Sequence, residues 1–188
     1  MTLGRLLEFL IWGWVGLEAV IAIATRTRRS MGGVHDRGSQ VLLWVVITFS
    51  FFASGWVAAP GLEMPFSHFT LHIVAIALIL LGLVVRIVAI VTLGKAFSAN
   101  VAIRSSQTLQ RSGLYSVVRH PSYLGMEIIF LSVGVGSHNW GAMAVMVVLP
   151  TAAVLYRIHV EEVALRSAFG AEYEDYARTT KRLFPGVY

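Results

Sequence analysis

The densest run of chemically capable side chains is Arg119-His120-Pro121-Ser122-Tyr123-Leu124-Gly125. Pro121 suits the first turn of a helix, because the N–H it lacks would be unpaired there. The other N–H groups of such a turn face the preceding segment and favour an anion. Arg119 and His120 add donors beside it. Two readings stand for this run: a site for a carboxylate or phosphate, or an interfacial anchor with Arg119 on lipid phosphates and Tyr123 among interfacial aromatics. A second constellation joins Arg157 to Glu161 and Glu162. Arg157 and Glu161 are four residues apart and share a helix face. They read either as a surface ion pair or as a grip, in which Arg157 holds an acidic group while a glutamate binds a cation or sugar hydroxyls. A third set, Glu18, Arg86 and Glu127, places charge inside apolar segments. Charge there is costly and faces protein or a water-filled cavity. Mutual pairing and lining of a substrate cavity both stay open for this set.

Other chemistries lack their motifs. No glycine-rich phosphate loop follows a strand, and no G-x-S-x-G elbow is present. With no cysteine, a disulfide, a thiolate metal site and a cysteine nucleophile are excluded. His120, His159, Glu161 and Glu162 are the candidate metal ligands, but the two histidines lack helical spacing, so no metal is expected. His35, His68, His72 and His138 are expected in loops or at interfaces with no special role.

The elements that must position these residues are helices in a membrane. Of 188 residues, 56% are hydrophobic and 13% charged, against roughly half and a quarter in soluble domains. A soluble single-core enzyme and a disordered chain are both excluded by this balance. A crossing helix needs about 20 mostly apolar residues. Uncharged runs extend over 38–62, 64–85 and 128–156, the last broken by Ser137-His138-Asn139-Trp140-Gly141. The reading is all-α: one polytopic membrane domain of about five transmembrane helices, near 6–24, 40–60, 66–90, 122–136 and 140–158, the last two a hairpin. A loop near 94–121 and a tail near 159–188 lie outside the membrane. In the tail, Glu161 to Phe169 fit a short amphipathic helix stopped by Gly170, and Tyr173 and Tyr176 a second one ended by Pro185. Ala22-Ile23-Ala24 also resembles a signal cleavage site.

Charge orients the bundle. Arg26, Arg28, Arg29 and Arg37 follow the first span. Lys95, Arg104, Arg111 and Arg119 lie between the third and fourth, and Arg157, Arg166, Arg178, Lys181 and Arg182 follow the fifth. Thirteen of fifteen basic residues thus fall on one side. The positive-inside rule makes that side cytoplasmic, with the N-terminus outside. The short loops suggest a prokaryotic inner membrane. The net charge of +5 is read as orientation, and no nucleic-acid partner is expected.

From Leu93-Gly94 onward the sequence resembles the isoprenylcysteine carboxyl methyltransferase family. The likeness runs through Leu109, Gly113, Tyr115 and Val118 into the Arg119–Gly125 run. It resumes at Arg157, Glu161-Glu162, Leu165, Phe169-Gly170, Glu172-Tyr173, Tyr176 and Arg182-Leu183-Phe184-Pro185. It implies a membrane enzyme that uses S-adenosylmethionine, with a cytoplasmic cofactor pocket built from the loop and the helical tail. Carried over, Arg119, His120, Tyr123, Leu124, Glu161 and Glu162 line the cofactor site, and Leu109, Gly113 and Tyr115 supply contacts. Gln107 stands where the family often has histidine. Arg157 and Glu161 are the expected catalytic residues, Arg157 orienting an acidic acceptor or the cofactor's carboxylate. The expected acceptor is a lipophilic or prenylated carboxylate drawn from the membrane lipid. Phospholipid amines and thiols are the alternatives within the chemistry, and a non-catalytic carrier or lipid-binding scaffold the alternative outside it.

Overall fold

The computed structural model describes residues 2–25, 33–34, 38–97, 102–103 and 108–186. Arg26, Arg28, Arg29, His35, Arg37, Arg104 and Gln107 lie outside the described residues. Helix α1 is Leu3–Ala24, α2 Ser39–Val57, α3 His68–Leu93, α4 Pro121–Gly136, α5 Trp140–Phe169 and α6 Ala171–Thr179. A short antiparallel pair, β1 (Gly33–Val34) with β2 (Ala102–Ile103), ties the two connecting segments together. The chain is an all-α polytopic membrane protein. Helices α1, α2, α3 and α5 are long and apolar enough to cross a bilayer, and α4 is a shorter apolar helix.

Local chemistry sets the helix ends. Ser67 caps α3, its hydroxyl accepting from the Thr70 amide at 3.0 Å. Asn139 opens α5 by accepting from the Gly141 and Ala142 amides at 2.9 and 3.1 Å. Gly170 stops α5 at φ 51°, a left-handed angle that glycine adopts without strain. α5 differs from the expected span plus separate tail helix. It is continuous for 30 residues, a rise of about 45 Å against about 30 Å of hydrocarbon. Its last turns, with Glu161 and Glu162, therefore project beyond the apolar span as one rigid rod. α6 ends at Thr179, ahead of the expected stop at Pro185.

α3 and α4 form the most extensively packed helix pair. Gly82 and Gly125 allow it. A Cβ on Gly125 would lie 2.8 Å from the backbone N of Arg86 and from the Gly82 carbonyl oxygen. One on Gly82 would lie 2.6 Å from Ile129 Cγ1. This backbone-to-backbone approach brings Arg86 against the first turn of α4. Trp14, Ile79, Met126, Phe130, Val154 and Ile158 fill the core between the helices. Leu183 of the tail is fully buried in the same cluster. Ala22-Ile23-Ala24 is the last turn of α1, a helix that buries Trp14 and Glu18 in the bundle.

Candidate functional site

The Arg119-His120-Pro121 turn opens α4, with His120 as its N-cap and Pro121 in the first turn. The tail returns to it. The amides of Arg119 and His120 donate to the carbonyls of Lys181 and Arg182 at 2.8 and 3.0 Å. The amides of Tyr123 and Leu124 both close on the His120 carbonyl at 3.1 Å. Pro121 has no N–H, so the open fan of donors expected here is mostly engaged within the turn itself.

Glu162 is the hub of this end. It is 1% exposed. Arg119 Nε donates to its Oε1 at 3.2 Å, Arg166 Nη2 to its Oε2 at 3.3 Å, and Arg182 Nη2 lies 3.0 Å from Oε2. His120 Nε2 stands 3.5 Å from Oε1. Burial pushes the Glu162 carboxyl up. The close approach of the His120 imidazole, hydrogen bonds from Arg182 and the charge of Arg119 outweigh burial and hold it well below the usual carboxylate range. Arg119 Nη1 donates in addition to the carbonyls of Ala177 and Thr180. Arg119 is thus a clamp between α5 and the tail rather than a free anion receptor.

Arg157 is 4% exposed, which overturns the surface ion-pair reading. Its Nε donates to the Tyr123 hydroxyl and its Nη1 to Ser39 Oγ, both at 2.9 Å. It joins α5 to α4 and α2. Arg86 meets Glu18 through paired bonds of 2.7 and 2.8 Å and also donates to Ser122 Oγ. Trp14 Nε1 donates to Glu18 at 3.3 Å. Glu127 stands apart from that pair and accepts from Thr151 Oγ1 at 2.6 Å.

Between these groups lies a cavity with about 1170 Å³ of free space, part of it open to solvent. Its wall takes Leu109, Tyr115, Arg119, His120, Tyr123, Arg157 and Glu161 from the expected set. Glu18 and Arg86 line it as well, so pairing and cavity lining hold for them together. Leu93, Phe97, Thr108, Gln110, Leu165 and Tyr173 complete much of the rest. Three expected residues stand outside the wall. Glu162 is behind it, held by its arginines. Leu124 packs on the core. Gly113 turns at φ 61° toward Thr92. A second, apolar groove between α1 and α2 is lined by Ile23, Val41, Val45, Phe49 and Phe52. Ala22, Gln40 and Trp44 line both spaces.

Sequence reasoning missed Ser39 and Gln40, whose types carry no signal without the fold. It also missed a legible one. His68 and His72 have helical spacing, and at the far end of the bundle His68 Nδ1 pairs with His138 Nδ1 at 2.7 Å. His72 Nδ1 lies 2.6 Å from the His68 carbonyl oxygen. These histidines join α3 to the α4–α5 turn, a role not expected for them.

The profile of the isoprenylcysteine carboxyl methyltransferase (ICMT) family matches residues 75–167. That segment carries Arg86, the Arg119–Tyr123 turn, Arg157 and both glutamates. The chain belongs to this family. Protein-S-isoprenylcysteine O-methyltransferase B of Arabidopsis thaliana is 32% identical over 140 residues, 68% of this chain and 64% of that protein. The Dictyostelium discoideum protein-S-isoprenylcysteine O-methyltransferase is 28% identical over 166 residues, 81% of this chain and 64% of that protein. The Rattus norvegicus one is 32% identical over 144 residues, 70% and 42%. This family member thus spans less than two thirds of the length of these relatives. They are eukaryotic proteins and lend no support to a prokaryotic inner membrane.

Proposed function

We propose that this chain transfers the methyl group of S-adenosylmethionine to the carboxylate of an isoprenylcysteine-like acceptor drawn from the membrane. The observation that carries this reading is the continuity of two unlike spaces. A cavity whose wall carries Arg119, His120, Arg157 and Glu161 shares Ala22, Gln40 and Trp44 with an apolar groove between α1 and α2. A polar cofactor and a lipid-tailed acceptor can then meet at one wall.

The residues fit such a cofactor. His120 Nε2 is buried with no hydrogen-bond partner, in a cavity that Glu161 also lines. An imidazole and a carboxylate suit the two ends of an amino-acid group. Leu93, Phe97 and Leu109 offer an apolar wall to an adenine ring. When bound, S-adenosylmethionine supplies a methyl group on a positively charged sulfur. Arg157, fixed by Tyr123 and Ser39, orients the acceptor carboxylate. Burial of this guanidinium keeps water from competing for that carboxylate. No base is required, because a carboxylate with an ordinary pKa near 4 is already ionised at neutral pH. The same reading places the basic end, and with it the C-terminal tail, in the cytoplasm.

The test is transfer of labelled methyl to N-acetyl-S-farnesylcysteine by the detergent-purified chain, across pH. The expected product is a base-labile methyl ester, formed at a rate that is flat above about pH 5. A base-stable product, with a rate rising between about pH 7 and 9, identifies an amine or thiol acceptor instead.

A further inference from the structure

Four tyrosines line the cavity: Tyr115, Tyr123, Tyr173 and Tyr176. Three hydroxyls are engaged. Tyr115 donates to the Ala89 carbonyl at 3.4 Å, and Tyr176 to the Tyr115 carbonyl at 2.6 Å. Tyr123 accepts from Arg157. Tyr173 differs. Its side chain is fully buried and its hydroxyl has no partner. Its ring is held from two sides, by the Arg166 guanidinium 5.6 Å from the centroid and by an edge contact with Tyr176 at 6.2 Å. The hydroxyl therefore has no freedom to swing out to water. A buried hydroxyl left unpaired costs about 1–3 kcal/mol, and an unpaired group in a cavity wall calls for an explanation. Burial, then the charge of Glu162, raises the phenol above its ordinary range, so it stays a proton donor at neutral pH.

We propose that Tyr173 is a further cofactor-binding residue, whose hydroxyl donates to the carboxylate of the cofactor's amino-acid group. This rests on the methyl-transfer reading above. The carboxylate is the part that suits this position. Tyr173 lines the cavity together with Arg119 and His120, and the Arg119 charge acts on its phenol. The apolar wall of Leu93, Phe97 and Leu109, suited to an adenine, belongs to other segments. Helix α6 is thereby given a function beyond closing the tail.

The experiment compares wild type, Tyr173→Phe and Tyr176→Phe as full chains in detergent. Calorimetry measures affinity for S-adenosylhomocysteine and for 5′-methylthioadenosine, which lacks the amino-acid group. Melting without ligand is measured alongside. In Tyr173→Phe, affinity for S-adenosylhomocysteine should fall about ten- to hundredfold, that for methylthioadenosine should hold, and the ligand-free melting temperature should hold or rise. Tyr176→Phe, which loses a made hydrogen bond, should melt lower. Unchanged S-adenosylhomocysteine affinity overturns the proposal, as does a ligand-free Tyr173→Phe that melts as low as Tyr176→Phe. Equal loss for both ligands moves the contact to the nucleoside and overturns the carboxylate assignment. A wild type that binds neither ligand overturns the methyl-transfer reading itself, and melting then reports alone on whether the hydroxyl is unpaired.

Discussion

At the scale of single residues, two side chains that look alike on paper do different work. Glu161 lines the cavity, whereas Glu162 sits behind it among Arg119, Arg166 and Arg182. Glu162→Ala leaves those guanidinium groups without their buried partner and should cost about 3–5 kcal/mol in a denaturation experiment. The folded carboxyl titrates below its ordinary value near 4.5. Its stabilising contribution is therefore complete above that value and is lost as pH falls through the lower, folded one. Melting temperature should drop in that acid window, and Glu162→Gln should flatten the drop. Arg157→Lys keeps a charge but cannot reach both Tyr123 and Ser39 with a planar fork. It should lower kcat/KM for the acceptor by about a hundredfold while cofactor affinity changes little. Adjacency made this pair legible as acidic and interesting. It could not say which carboxylate faces the cavity, because the bases that claim Glu162 come from residues 4 to 43 positions away.

Among the elements, positions are set by two glycine devices of different physics. Gly125 is a matter of space, since a Cβ there meets the backbone of Arg86 and Gly82 at 2.8 Å. Gly125→Ala should cost about 1–3 kcal/mol and push α3 from α4, loosening the Arg86–Ser122 contact. Gly170 is a matter of backbone angle, with nothing within 4 Å of a Cβ. Gly170→Ala should cost about 1–2 kcal/mol from strain alone. Thermal melting of both variants separates the cases, because a second change, Gly82→Ala, should be strongly non-additive with Gly125→Ala and additive with Gly170→Ala. Apolar run lengths made the helices readable from sequence, and Gly170 made the stop readable. The continuity of α5 was not readable, because Arg157 to Arg166 carry as many charges as a solvated tail helix. The return of residues 181–182 to the Arg119 turn was hidden too, since a two-residue bridge has no periodicity.

For the whole molecule, the expected orientation follows from the thirteen basic residues that the sequence assigns to one side. Arg86, Arg119 and Arg157 line the cavity, which shares Ala22, Gln40 and Trp44 with the apolar groove between α1 and α2. The chain has no cysteine, so single labels report sidedness without background. Phe66→Cys, at a residue 58% exposed, should react with an impermeant maleimide applied from outside. Arg178→Cys, at a side chain 76% exposed, should react only after permeabilisation. The reverse pattern would place the cofactor pocket outside the cytoplasm and remove its supply. The central claim is that the cavity holds S-adenosylmethionine, and calorimetry on the detergent-purified chain tests it most directly. Roughly micromolar binding of S-adenosylmethionine and S-adenosylhomocysteine is expected, lost in His120→Ala, and lost in Glu161→Ala at unchanged melting temperature. Well-folded protein that binds neither would contradict the account and return the Arg119–Gly125 run to an anchor on a membrane scaffold.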